Sequence, residues 1–281
     1  MLKVWITGSG GQIGAAINDV LDPLEIEVFN TDLNELDITQ TDDVLHFGEI
    51  NRPNVIINCA AVTDIALCQS NPELAYRVNA LGARNLSIVA KNVNAKFVQL
   101  STDDVFDGRS SQPYTEFSPA SPATVYGQSK YAGEQYVKEF TQKHFIIRSS
   151  WVYGQGDNFV TTLLAAARLG ETFTAASDQI GAPTSARDLA RIILYLIHTN
   201  EYGTYHATCR GTCSRYEFAQ EILRLSGLST PLRAVPYSQI EQYSNRPACA
   251  VLDNFILRII DVYDMPHWKD SLKEYLEEGG I

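Results

Sequence analysis

Val4-Trp5-Ile6-Thr7-Gly8-Ser9-Gly10-Gly11-Gln12-Ile13-Gly14 carries a short apolar stretch straight into a glycine-rich turn. An apolar run of this length bounded by glycine predicts a buried strand, and the residues after Gly14 continue in a helical pattern. Strand, glycine turn and helix start, in that order, form a setting in which backbone can approach a pyrophosphate. The helix N-terminus adds free N–H donors and a favourable dipole. Gly8, Gly11 and Gly14, with Gln12 and Ile13 between them, are the expected contacts of a dinucleotide. A strand-to-helix turn without any ligand is the plain alternative.

The same rhythm repeats downstream. Residues 26–30, 55–59, 97–101 and 145–148 are further short apolar runs, and longer helical patterns separate them, one over residues 74–91 and one over residues 124–140. Alternation of this kind predicts an α/β fold, a Rossmann-type doubly wound parallel sheet built from right-handed crossovers. After Arg148 the rhythm loosens, with Pro183, a helical stretch near residues 186–197 and a strand-like Thr204-Tyr205-His206-Ala207. The expected organisation is an NAD(P)-binding Rossmann domain over residues 1–150, joined by about 186–210. Residues 151–185 and 211–281 are expected to form a smaller, C-terminal substrate-binding lobe, with a cleft between the two.

Composition narrows the class. With 281 residues, 45% of them hydrophobic, the chain can bury a large core. A net charge of −11, with Lys and Arg scattered, offers no basic footprint for nucleic acid or an anionic membrane surface. The N-terminus lacks the pattern of a signal peptide, and no run reaches the ~18 apolar residues needed to span a bilayer. A cytoplasmic protein is therefore expected. The five cysteines are odd in number and spread out. Cys209 and Cys213 have no second Cys/His pair beside them, so free thiols are expected rather than a metal site.

Asp32 follows Gly14 by 18 residues, at the end of the second predicted strand. A carboxylate there can bond both ribose hydroxyls of an adenosine, which favours NADH over NADPH, since a 2′-phosphate would meet like charge. Asp37 and Ile38 are expected near the adenine, and Cys59, Ala60 and Ala61 supply small residues where the cofactor crosses the sheet. Ser101-Thr102 ends the fourth strand on the carboxyl edge, where a hydroxyl can bond a substrate oxygen. On the helix that follows, Tyr126 and Lys130 lie four apart and share a face. Lys130 is expected to favour the phenolate and bring Tyr126 into range as a general acid or base.

These segments together resemble the extended short-chain dehydrogenase/reductases, and within them the dTDP-4-dehydrorhamnose reductase family. The likeness extends nearly end to end. It includes the Gly-x-x-Gly-x-x-Gly turn, Asn58-Cys59-Ala60-Ala61, Val78-Asn79-Ala80, Ser101-Thr102-Asp103, Tyr126 with Lys130, Trp151-Val152-Tyr153-Gly154 and Asn158-Phe159. Asp178-Gln179-Ile180-Gly181-Ala182-Pro183-Thr184 and Arg246-Pro247 continue it. The resemblance implies reduction of the 4-keto group of a nucleotide-linked 6-deoxy-hexulose by NADH or NADPH. Tyr126 would give the proton, Lys130 would hold the nicotinamide ribose, and Thr102 would bond the carbonyl oxygen. It also implies Asn79 on the cofactor side, and Asp103, Asp104, Trp151, Asn158 and Arg246 toward the substrate, with Arg246 at its nucleotide part.

Two departures stand out. Relatives usually carry Tyr where this chain has Asp104, and Thr-x-Val-Asp-x-x-Glu where Thr63-Asp64-Ile65-Ala66-Leu67-Cys68-Gln69 lacks both carboxylates. Asp104 and Ala66 are therefore expected to decide which sugar is accepted, an amino or acetamido sugar being one that would suit Asp104. Thr102-Asp103-Asp104 also resembles the Thr-Asp-Glu of nucleotide-sugar 4,6-dehydratases, which keeps a dehydratase as the rival reading. A non-catalytic regulatory subunit of the same fold is a third. Some relatives dimerise through Mg2+ on glutamates, one just after the glycine turn. Ala15-Ala16 stands there, so no metal is expected, and monomer and homodimer both remain open.

Overall fold

The structure is a computed structural model, described over residues 1–240, 246–260 and 264–279. Its first part runs β1 (Leu2–Thr7), α1 (Gln12–Val20), β2 (Ile26–Thr31), α2 (Thr41–Asn51), β3 (Val55–Asn58), α3 (Ile65–Ser70), α4 (Pro72–Tyr76), α5 (Ala83–Asn92), β4 (Lys96–Thr102), α6 (Val125–Phe140) and β5 (His144–Ser149). Then come β6 (Val152–Tyr153), α7 (Phe159–Arg168), β7 (Phe173–Ala176), β8 (Ile180–Gly181), β9 (Thr184–Ser185), α8 (Ala186–Ile197) and β10 (Gly203–His206). The chain continues through β11 (Cys213–Ser214), α9 (Arg215–Ser226), β12 (Leu232–Val235), α10 (Phe255–Ile259) and α11 (Trp268–Glu277).

Six strands form one sheet in the order β10-β5-β4-β3-β1-β2, every pairing parallel. The order reverses between β1 and β3, which opens a crevice beyond the carboxyl ends of those strands. Alternate residues of each strand face opposite layers. Val4, Ile6, Ile57, Val98 and Ile147 pack with Ile17 of α1 and Leu189 and Ile193 of α8. Trp5, Ile56, Phe97 and Ile146 pack with Val44, Leu86 and Val137 of α2, α5 and α6. Each such side chain removed from water contributes on the order of 1.5–3 kcal/mol, and burial on both faces is why the strands are near-continuous apolar runs. The indole of Trp5 still reaches a partner, donating to Thr31 Oγ1 at 2.9 Å.

The fold agrees with the α/β, doubly wound expectation, and β10 and α8 complete the sheet and its cover from beyond residue 185. The remaining strands pair in twos, β6 with β9, β7 with β12 and β8 with β11. One predicted element differs: the helix expected over residues 74–91 is α4 and α5 joined by a π-helical turn at Arg77–Gly82. Such a turn inserts an extra residue and redirects side chains, often beside a functional site. Here it carries Asn79 into the interior.

Candidate active site

The glycine turn sits at the carboxyl end of β1. Gly8 has φ 67°, and a Cβ there would lie 2.6 Å from the backbone nitrogen of Ala60, so only glycine lets β1 and β3 exit side by side. Asp32, at the end of β2, turns its carboxylate onto this loop, where Oδ2 accepts from Ser9 Oγ at 2.9 Å and from the Gly10 N–H at 2.8 Å. Gln12 donates through Nε2 to the Asp157 carbonyl at 2.9 Å, while its Oε1 is buried without a partner among the described residues. A turn closed to side chains, a carboxylate beside it and an orphaned amide oxygen fit a dinucleotide.

A cleft of about 750 Å³ continues from the turn. Gly11, Gln12, Ile13, Cys59 and Ala61 line one end, and Thr102, Asp103, Tyr126, Lys130, Trp151, Asn158 and Arg246 line the rest. Residues spread from 11 to 246 along the chain thus meet around one space. Burial pushes the Cys59 thiol up to about 12, which leaves it an uncharged wall of the cofactor side.

The catalytic corner is built on the start of α6. Thr124 caps that helix, its Oγ1 accepting from the Gly127 N–H at 2.9 Å. Tyr126 and Lys130 follow within the first turns, both buried, at 8% and 4% exposure. In the free protein the Tyr126 phenol stands above its ordinary value rather than drawn down toward neutrality. Burial pushes the Tyr126 phenol up, Asp104 and Asp103 push it further, and Arg246 and a hydrogen bond with Thr102 pull it back. Burial also lowers Lys130, to about 8, against the opposing pull of Glu134. A fully protonated phenol is the form that donates a proton.

Thr102 Oγ1 donates to Asp103 Oδ1 at 3.0 Å and accepts from the Asp104 N–H at 3.2 Å. Asp103 Oδ2 accepts from Ser150 Oγ at 2.7 Å, and burial together with the neighbouring Asp104 raises this carboxyl to about 6. Asp104 points elsewhere than the sugar-facing expectation held. Its Oδ2 accepts from Arg246 Nε at 3.2 Å, so an ammonium on the sugar is not needed to balance it. The same ion pair brings Arg246 to the Tyr126 end of the cleft. The Arg246 guanidinium is thus already engaged before any nucleotide contact.

Five other expected residues are engaged or placed otherwise than the sequence suggests. Asn79 is 2% exposed and spends its amide inside the chain: Oδ1 accepts from the Val62 N–H at 2.8 Å, and Nδ2 donates to Val62 O and Ser129 Oγ at 3.0 Å each. It clamps the loop after β3 onto α6 rather than facing the cleft. Asn158 reaches the cleft wall, but its amide caps α7, accepting from the Val160 N–H at 2.9 Å. Ile38 is buried beneath the π turn and Asp37 accepts from the Thr39 N–H at 2.9 Å, so Ile38 serves the core and Asp37 its own loop. Ala66 is exposed on α3 and lies outside the cleft lining, whereas Thr63 belongs to it.

Trp151 sits at φ 47°, a left-handed conformation costly for a bulky residue and tolerated where its surroundings hold it. The Arg215 guanidinium lies 3.6 Å from its ring centroid, a cation stacked on the indole at the cleft wall. Arg215 and Ser149, whose buried Oγ finds no partner among the described residues, had no individual signal in the sequence. An arginine opening an amphipathic helix is ordinary, and only the packing of α9 brings this one to Trp151.

The RmlD substrate binding domain model matches residues 2–280. The chain belongs to that family. The spore coat polysaccharide biosynthesis protein SpsK of Bacillus subtilis is 37% identical over 279 residues, covering 99% of this chain and 98% of that protein. Among solved structures, a dTDP-4-dehydrorhamnose reductase of Clostridium acetobutylicum superposes with a TM-score of 0.97 at 41% identity, covering 100% of both chains. That of Bacillus anthracis, solved in complex with NADP, gives 0.97 at 38% identity over 99% of this chain and 100% of that one. Within the RmlD family frame, the glycine turn, Thr102, Tyr126 and Lys130 share one cleft in this chain. Among the described residues, no helix is long and apolar enough to cross a membrane.

Proposed function

We propose that this chain reduces the 4-keto group of a nucleotide-linked 6-deoxy-hexulose, dTDP-4-dehydro-L-rhamnose or a close analogue, for deoxysugar and polysaccharide biosynthesis. The observation that carries the reading is the convergence of Thr102, Tyr126 and Lys130 on the cleft that the glycine turn opens. The bound nicotinamide supplies the hydride. Tyr126 gives the proton to the sugar oxygen, Thr102 holds that oxygen in line, and Lys130 supplies the positive charge beside them. Trp151 and Arg215 form the flat, cationic wall for the nucleotide-sugar.

The Asp32 carboxylate, held at the turn, supports a preference for NADH. The relative solved with NADP makes NADPH the competing cofactor to measure. The division into a cofactor domain and a substrate-binding lobe, the cytoplasmic location, and a monomeric or homodimeric state are part of the same reading. Asp104 argues against the 4,6-dehydratase alternative, because its carboxyl is committed to Arg246 and is not free to act as a second acid or base. NADH and NADPH oxidation against a panel of nucleotide-linked 4-keto-6-deoxy sugars tests reaction, cofactor and sugar together. Turnover is expected with a dTDP-linked member. Formation of a 4-keto-6-deoxy product from a dTDP-hexose without added reduced cofactor would assign a dehydratase instead.

A further inference from the structure

The end of β4 carries charges that the tyrosine–lysine pair does not account for. Asp104 is 3% exposed, and its Oδ2 meets Arg246 Nε at 3.2 Å across 142 residues of chain. Both partners are fixed. The Asp104 N–H donates to Thr102 Oγ1 at 3.2 Å, and α6 packs so tightly on its carbonyl that a Cβ at Gly127 would lie 2.1 Å from the oxygen. Beyond Arg246, the Pro247 carbonyl accepts from Gln179 Nε2 at 3.5 Å and the Ala248 carbonyl from the Ile180 N–H at 2.8 Å. Tyr126, next to Gly127, shares the cleft wall with Arg246. When the phenol O–H bond breaks and the proton passes to the sugar oxygen, negative charge is left in a cleft whose wall also holds the guanidinium of Arg246 and, through it, the carboxylate of Asp104.

We propose that Arg246 is a second cation, besides Lys130, that stabilises the phenolate of Tyr126 during proton transfer, and that Asp104 is the positioning residue that holds the guanidinium there and tempers its charge. The inference rests on Tyr126 being the proton donor. The other ionisable groups around the phenol, among the described residues, include Asp103 on the same strand end, Lys130 on α6, Cys68 on α3, which packs against the Tyr126 ring, Cys59 at the end of β3, and Arg215 of α9 on the same cleft. Of these, Lys130 and Arg215 carry positive charge, and Arg215 is stacked on Trp151, so removing Arg246 takes away one of the two cations assigned to the phenol. Arg246 pulls the phenol down while Asp104 pushes it up, so the two act on the proton with opposite signs.

That opposition is the test. kcat for oxidation of dTDP-L-rhamnose with NAD+ needs the phenolate as base and, below the raised Tyr126 ionisation, rises with pH in proportion to the phenolate formed. Arg246→Gln is expected to move that rise up by about one pH unit and Asp104→Asn to move it down by a similar amount, about tenfold in rate at fixed pH. The Asp104→Asn change keeps an acceptor oxygen for Arg246 Nε, and Arg246→Lys should return the profile toward wild type. Thermal melts and cofactor titrations identify a variant that merely fails to fold. Shifts in the same direction, or a shift missing from either folded variant, would overturn the proposal. If wild type turns over no sugar, the proposed function fails on its own. Ultraviolet difference titration of tyrosinate, corrected with Tyr126→Phe, then decides the pair: a lower titration in Asp104→Asn than in wild type supports it, an unchanged or higher one rejects it.

Discussion

Tyr126→Phe removes the transferable proton and leaves the ring, so turnover should fall by roughly 10²–10⁴-fold, the usual worth of a general acid. Cofactor affinity, read by fluorescence titration, should stay within about twofold of wild type, since the ring and its packing are kept; equal loss of both would mean a collapsed cleft. Asp32→Ala should shift the ratio of kcat/KM for NADH over NADPH by roughly tenfold toward NADPH, the value of about 1.4 kcal/mol for a charge-assisted bond lost and a repulsion relieved. An unchanged ratio would show that Asp32 serves only Ser9 and Gly10. The Tyr126 and Lys130 pair was legible because both partners lie within about one helical turn of each other. The Asp104–Arg246 pair was not, since 142 residues separate its members and no local pattern couples them. Asn79 and Asn158 were legible as motif members but not as clamp and cap, because one amide serves a ligand or a backbone equally well.

Among the elements, β1, β3, β4 and β5 were legible because a strand buried on both faces has to be an uninterrupted apolar run, whereas the edge strand β2 keeps Glu27 and Asn30 exposed. The two-residue strands β6, β8, β9 and β11 were not: segments so short carry no periodicity, and their pairing is decided by packing. The π turn was equally hidden, because the apolar spacing on either side of Arg77–Gly82 is compatible with one continuous helix. The glycine turn is the element most sensitive to a single change. Gly8→Ala places a methyl group 2.6 Å from Ala60 N in a left-handed conformation, so the exits of β1 and β3 must separate. The expected result is loss of cofactor binding in a titration together with a lowered melting temperature. A variant that melts like wild type and still binds cofactor would show that the turn has room to relax.

The molecule as a whole is pinned by a buried polar network behind the sheet. Arg148 Nε and Nη2 donate to both carboxylate oxygens of Glu134, at 2.8 and 2.6 Å, with exposures of 3% and 0%. Glu134→Gln leaves the guanidinium uncompensated and should cost about 3–5 kcal/mol in denaturant unfolding; a cost near zero would mean that water enters. His206 joins from β10, with Nδ1 at 3.0 Å from Tyr114 O and Nε2 at 3.4 Å from Arg148 Nη1. Burial and the neighbouring Arg148 lower its pKa to about 3 from the ordinary 6.5. The folded state therefore binds fewer protons than the unfolded one in that interval. This contribution is complete above pH 6.5 and is lost as pH falls toward 3. Melting temperature should decline over that range, and His206→Gln should flatten the decline. The single bond from Gln12 Nε2 to Asp157 O ties the loop that receives the first ligand to the loop that precedes α7 on the sugar side. A dinucleotide seated on this turn would act through that bond on the sugar side, so binding in a fixed order is the expected outcome. Product-inhibition patterns should be those of a compulsory order, dinucleotide on first and off last.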